Sequence, residues 1–307
     1  MSIGIKAIAS YIPEKNVDNI ALAAEFGETA EFVEQKLGAI KLPRKAASEE
    51  TSDLCVKAIQ RLQQQELGLD LNSIDALIII TQNGDGEGLP HTAALVQQKA
   101  GLSKAVAAFD VSLGCSGYVY GLYILKGLLE ASGLQQGLLI TADPYSKVID
   151  PSDRVTSMLF GDAATATWLH SDPVWKLGKV HYGTDGSGAE FLQVSNGRLS
   201  MNGRQVFNFA SVNVPPHIKQ LLQLGALDEE QVDAFVIHQG SAAIVDAVSR
   251  RFQQSDKFIK DLTDTGNTVS SSIPLLLQKY AMQSQWQNLV ISGFGVGFSW
   301  ASALLYK

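Results

Sequence analysis

Ile74-Asp-Ala-Leu-Ile-Ile-Ile80, followed by Thr-Gln-Asn-Gly84, and Val232-Asp-Ala-Phe-Val-Ile237, followed by His-Gln-Gly-Ser241, share one pattern. Each has an acidic residue, an apolar run of strand length and a polar turn, and the two stand about half the chain apart. Apolar runs of this kind belong to strands buried on both faces of a mostly parallel sheet. The segments after each run repeat as well. A Ser/Gly-rich helix start comes next, Ser112-Leu-Gly-Cys-Ser-Gly117 in one case and Gly266-Asn-Thr-Val-Ser-Ser-Ser272 in the other. Then come matching strands, Gly137-Leu-Leu-Ile-Thr-Ala142 and Asn288-Leu-Val-Ile-Ser-Gly293, and small-residue strands that open at Gly161 and Gly297. Strands alternating with helical periodicity predict an α/β fold. The repeated order predicts two similar halves, 1–171 and 172–307, packed against each other.

Composition narrows the classes. The chain has 307 residues, 46% of them hydrophobic, which is enough for a sizeable core, and its net charge is −7. Without a basic surplus it is not expected to bind nucleic acid. Two cysteines, Cys55 and Cys115, cannot supply a disulfide framework or a CxxC metal knuckle, so a reducing cytoplasm is expected. The N-terminal stretch through Tyr11-Ile-Pro13 shows no basic region followed by an apolar one, so no export is expected. The uncharged run from Val111 to Leu125 is too short and too polar for about 30 Å of hydrocarbon, and it reads as a buried helix.

Three residues carry chemistry in combination. Cys115 stands at a strand-to-helix junction among Gly114, Ser116 and Gly117. There, unsatisfied N–H groups and the positive helix end are expected to lower its pKa and favour thiolate. Taken alone, a buried cysteine is more often inert packing. His238 ends an apolar strand at the sheet edge where α/β proteins place ligands. Of the other histidines, His217, after Pro215-Pro216, is expected at the surface. Asn267, beside Gly266, taken alone is more commonly a helix cap or turn residue. If the halves superpose, all three face one cleft, where a cysteine beside His and Asn donors makes an acyl-transfer site.

At this point the chain resembles the thiolase-fold enzymes of the β-ketoacyl-acyl-carrier-protein synthase III type. The likeness runs nearly end to end. It rests on Phe109-Asp-Val111, Gly114-Cys-Ser-Gly117, Asp150-Pro-Ser-Asp-Arg154 before Phe160-Gly-Asp162, and Met201-Asn-Gly-Arg-Gln-Val-Phe207. His238-Gln239, Gly266-Asn-Thr268, Ser272-Ile-Pro274 and the terminal Gly293 to Ala303 complete the ordered set. The resemblance implies a five-layered αβαβα fold, a homodimer, and a Cys-His-Asn triad on Cys115, His238 and Asn267. It implies that an acyl group from coenzyme A loads Cys115 and then condenses, with loss of carbon dioxide, with a malonyl thioester borne by an acyl carrier protein. The backbone N–H groups of Cys115 and Val296 would form the oxyanion hole. Phe32, Arg154, Gly203, Phe207 and Ser241 would line the coenzyme and pantetheine path, and Leu89 would reach across the dimer interface. Arg250 and Arg251 would meet the acidic carrier. No metal or redox cofactor is implied, coenzyme A entering as the thioester substrate.

The chain also departs from the family pattern. Phe32 replaces the usual Trp, Lys36 stands where Arg is common, and Gly240-Ser-Ala-Ala-Ile244 replaces an Ala-Asn pair with a nearby Arg. Val296 sits inside the final glycine turn. Such departures resemble members of specialised biosynthesis, of secondary metabolites or surface glycan precursors. Acyl transfer to oxygen or nitrogen, and an inactive partner subunit, stay open beside condensation. A papain-like hydrolase shares the order Cys, His, Asn but lacks that family's local cysteine signature.

Overall fold

The computed structural model describes residues 3–86 and 88–307. Among them, nine strands join in one sheet. In chain order these are β1 (Gly4–Tyr11), β2 (Ala76–Ile80), β3 (Ala107–Val111), β4 (Gln136–Ala142), β5 (Ala164–His170), β6 (Trp175–Thr184), β7 (Ala234–Ile237), β8 (Asn288–Gly295) and β9 (Ser299–Tyr306). The helices that cover them are α1 (Thr51–Gln65), α2 (Thr92–Ala100), α3 (Gly117–Ser132), α4 (Gly203–Gly225), α5 (Ala242–Ser249) and α6 (Ser272–Leu276).

The strand order is β7-β8-β9-β6-β1-β5-β4-β2-β3. Read inward from both ends it repeats: β2 runs parallel to β4, then β5 and β1 follow antiparallel, as β7 runs parallel to β8, followed by β9 and β6. The isolated parallel bridge between Phe235 and Phe258 stands where β3 stands beside β2. Among the described residues, the two sets pair edge to edge where Gly4 faces Lys176 and Ile5 faces Trp175.

Packing of the helices makes the layers. Helices α1 and α2 cover the outer face of the first set, α4 and α5 the outer face of the second, and α3 with α6 fills the space between. This is the five-layered arrangement expected. The middle layer holds the largest core, where Ile78, Ile80 and Leu139 of one set face Tyr118 and Leu122 of α3, with Val236 and Ile291 of the other set beyond. Helix α3 lies close because it lacks side chains where it touches: a Cβ on Gly117 would meet Ile80 Cγ2 at 2.3 Å, and one on Gly121 would meet Leu139 Cδ1 at 2.7 Å. Burying aliphatic side chains is worth about 1.5–3 kcal/mol each, so this wedge is what presses the halves together.

Two sequence expectations fail here. The sheet is mixed, not mostly parallel: five of its eight described strand pairings are antiparallel, because β5 and β1 in one set and β9 and β6 in the other turn back on their neighbours. His217 is 5% exposed, not at the surface. Helix α4 runs on through Pro215 and Pro216 and carries the ring inward. There Trp300 Nε1–H donates to His217 Nδ1 at 3.0 Å, and the ring stacks on His181 at 4.1 Å. Burial and the neighbouring His181 bring its pKa down to about 4. Among the described residues no helix is long and apolar enough to cross a membrane.

Candidate active site

Cys115 lies in the turn between β3 and α3, two residues before the first helical residue, and is 4% exposed. The opposite half comes up against it. A Cβ on Gly295, at the end of β8, would stand 2.7 Å from the sulfur, and Ser116 Oγ lies 2.8 Å from Ser299 Oγ. The backbone N–H groups of Val296 and of Cys115 itself favour negative charge on the sulfur. Burial wins over them. It and the Asp143 carboxylate push the thiol up to about 12, so the expected thiolate is not the resting state. The sulfur precedes the helix and is cut off from water, and desolvation of a charge outweighs two backbone dipoles. Asp143 is itself buried, held by the Gln82 N–H at 2.7 Å and the Ser270 hydroxyl at 2.6 Å, and burial pushes it up to about 6.

His238 follows the last residue of β7 and continues its ladder, its N–H donating to Ser292 C=O at 2.8 Å. The side chain is 3% exposed and meets the Ser272 hydroxyl through Nδ1 at 2.8 Å. Burial lowers its pKa to about 3, so the ring is neutral. Phe294 stands edge-on to it, ring centres 5.6 Å apart. Gln239 locks the turn behind, donating to Ile237 C=O and Ile259 C=O and accepting from the Asp261 N–H.

Asn267 precedes α6 in the corresponding place of the second half. Its N–H donates to Leu159 C=O at 3.0 Å, and its Oδ1 accepts from the Val269 N–H at 2.9 Å. That leaves the amide Nδ2 to face outward, its contact with Gly240 C=O stretched to 3.5 Å. The turn is strained: Val269, β-branched and fully buried, has φ 54°. Such a conformation costs about 1–3 kcal/mol and persists where surrounding packing imposes it, often at functional sites.

All three side chains line one cavity of about 390 Å³. Among the residues singled out from sequence, Phe32, Arg154, Gly203, Phe207 and Ser241 line it as well. Arg154 is paired with Glu28, and the Ser241 hydroxyl caps α5 by accepting from the Ile244 N–H. Leu89 does not line this cavity; it is 91% exposed. The two arginines part company: Arg250 faces a groove with Lys36 and Phe207 beside the cavity, and Arg251 faces a separate notch with Lys219 and Pro215. Sequence reasoning misses Ser272 and Asp143. Ser272 is visible as part of Ser272-Ile-Pro274, but nothing local says that it touches a ring 34 positions away.

The chain is similar to known proteins over nearly its full length. The model of 3-oxoacyl-[acyl-carrier-protein] synthase III matches residues 109–186, and the model of its C-terminal part matches 222–307. The β-ketoacyl-[acyl-carrier-protein] synthase III of Lactococcus lactis is 33% identical, over 98% of both chains. That of Streptococcus agalactiae is 32% identical, also over 98% of both. Among solved structures, the 3-oxoacyl-(acyl-carrier protein) synthase of Burkholderia xenovorans superposes with TM-score 0.91 at 32% identity, over 100% of this chain and 94% of that one. The β-ketoacyl-[acyl-carrier-protein] synthase III of Thermus thermophilus does so with TM-score 0.91 at 31% identity, over 99% of each.

Proposed function

The chain belongs to the 3-oxoacyl-[acyl-carrier-protein] synthase III family and is a condensing acyltransferase of that type, and we propose that Cys115, His238 and Asn267 run its two half-reactions. One observation carries the assignment: three buried side chains, brought by turns of both halves, line a single cavity. In the first half-reaction the Cys115 sulfur attacks an acyl-coenzyme A thioester. Because the thiol is protonated at rest, its proton must leave as the substrate arrives, and the neutral His238 ring is the base at hand. The N–H groups of Val296 and Cys115, which stabilise negative charge on the sulfur, would hold the oxyanion of the tetrahedral intermediate. Val296 supplies only its backbone, so the side chain at that position does not remove the donor.

In the second half-reaction a malonyl thioester loses carbon dioxide. Charge gathers on its thioester oxygen, and His238 with the outward Nδ2 of Asn267 stabilises it as donors. The carbanion then attacks the acyl-enzyme. Arg250 and Lys36 beside the cavity favour an acidic acyl carrier protein as the bearer of the malonyl group. The exposed Leu89 supports a homodimer in which a partner covers it.

The test separates the steps. Intact-protein mass spectrometry against a panel of acyl-coenzyme A thioesters reads loading, and carbon dioxide release from malonyl carrier protein reads condensation. Cys115→Ala is expected to abolish loading. Asn267→Ala is expected to leave loading within about tenfold and to slow carbon dioxide release about a hundredfold or more. Acyl-enzyme that only alcohols or amines discharge would replace condensation by simple acyl transfer.

A further inference from the structure

The two half-reactions ask opposite things of one ring nitrogen. To take the Cys115 proton, His238 Nε2 needs a lone pair; to steady the malonyl oxygen it needs a hydrogen. The contacts of Ser272 accommodate both states. The Ser272 hydroxyl lies 3.1 Å from Val269 C=O, and the same oxygen lies 2.8 Å from His238 Nδ1. A hydroxyl has one proton and Ser272 Oγ has two acceptors in reach, so two arrangements fit: with the proton on Val269 C=O, Ser272 accepts from Nδ1–H and Nε2 is bare; with it on Nδ1, the ring hydrogen sits on Nε2. The Gln239 N–H, 3.5 Å from Ser272 Oγ, favours the same accepting role. The buried ring does not hold both protons at neutral pH.

Behind Ser272 lies a second cavity, of about 210 Å³, lined by Gln239, Thr268 and Ser272 and reaching the surface at Asp264 and Lys279. Thr268, 1% exposed, lines it with a hydroxyl that has no partner among the described residues. An unpaired buried hydroxyl costs about 1–3 kcal/mol, and a polar cavity of this size accommodates water to satisfy it. Ser272 is thus a side chain that both touches the catalytic ring and lines the rear cavity.

We propose that Ser272 is a positioning residue that switches His238 between its two neutral tautomers by exchanging protons with water in this rear cavity. The inference rests on the condensing reading above. During loading, Nε2 takes the Cys115 proton while Nδ1 passes its own to Ser272, whose hydroxyl proton goes to cavity water. The sulfur bonds to the acyl carbon, and the coenzyme A thiolate leaves with the electron pair and takes a solvent proton. The ring now carries its hydrogen on Nε2, and Ser272 donates to Nδ1. The malonyl carboxylate then leaves as carbon dioxide, the resulting enolate carbon bonds to the acyl carbon, and the Cys115 sulfur departs with its electron pair. Nε2–H returns a proton to the sulfur, Ser272 gives one to Nδ1, and cavity water restores the hydroxyl. Over the cycle one solvent proton is consumed, which balances the conversion of a malonyl carboxylate to carbon dioxide.

Ser272→Ala blocks the switch but not loading, because Nε2 can still lend the thiol proton and return it to the departing coenzyme A thiolate. Loading is expected within about tenfold of wild type, carbon dioxide release to fall about a hundredfold, and Ser272→Thr to restore release to within about fivefold. Nitrogen-15 NMR of histidine-labelled wild-type protein is expected to show His238 protonated on Nδ1 at rest and on Nε2 once Cys115 is acylated. Equal slowing of both steps in Ser272→Ala, unchanged release, no rescue by Thr, or one tautomer throughout would each overturn the switch while wild type condenses normally. Wild type that loads but releases no carbon dioxide would instead overturn the condensing reading, and the switch with it.

Discussion

Asp143 has no part in bond making, yet its charge bears on the nucleophile. Its carboxylate is buried among the Gln82 N–H and the Ser270 hydroxyl, and it helps to hold the Cys115 thiol protonated. Replacing it by Asn keeps the shape and removes the charge. Asp143→Asn is therefore expected to lower the thiol pKa and speed alkylation of Cys115 by iodoacetamide several-fold, since one unit is worth a factor of about ten in thiolate. The same change turns one accepting oxygen into a donating amide and leaves one of the two donors without an acceptor, and a thermal melt should register a loss of about 1–3 kcal/mol. Slower alkylation would mean that the carboxylate organises the site without raising the thiol. Restraint of the sulfur until substrate arrives fits a pocket that must not react with passing electrophiles.

Close approach of elements sets the geometry that these residues need. The end of β8 meets the Cys115 turn with no room for a side chain, because a Cβ at Gly295 would stand 2.7 Å from Sγ. Gly295→Ala is expected to cost about 1–3 kcal/mol by overpacking and to cut acyl loading at least tenfold by displacing the sulfur. Mass spectrometry of the loaded protein and a thermal melt read the two effects. The elements are largely legible in the chain itself: Ile74–Ile80 and Val232–Ile237 announce β2 and β7, and the repeated order announces the layers. Cys115, His238 and Asn267 stand out because each ends or begins a repeated element. Ser272, Asp143 and the inward turn of His217 do not, because each depends on a partner far along the chain. The thiol pKa escapes sequence reasoning for a related reason: the helix start is a local signal, and desolvation is a property of everything packed around it.

For the molecule as a whole, acid sensitivity follows from its buried titrating groups. His217 and His238 have folded pKa values near 4 and 3, below the ordinary 6.5, so the unfolded chain binds protons first and stability falls as pH drops from about 6.5 toward 4. Asp143, raised to about 6, works the other way, gaining stability as pH falls through that value. Two histidines oppose one aspartate, so a net loss on the order of 2 kcal/mol is expected between pH 6.5 and 4, and denaturant titrations at the two values would measure it. A different vulnerability lies at the join of the two strand sets, where two residue pairs among the described residues, Gly4 with Lys176 and Ile5 with Trp175, make the seam. So narrow a seam gives little lateral stiffness, and the lobes keep their alignment through the helices wedged between them. Warming should loosen that alignment before it melts either lobe. Turnover is then expected to fade several degrees below the circular-dichroism midpoint, because a catalyst divided between two bodies fails by slippage first.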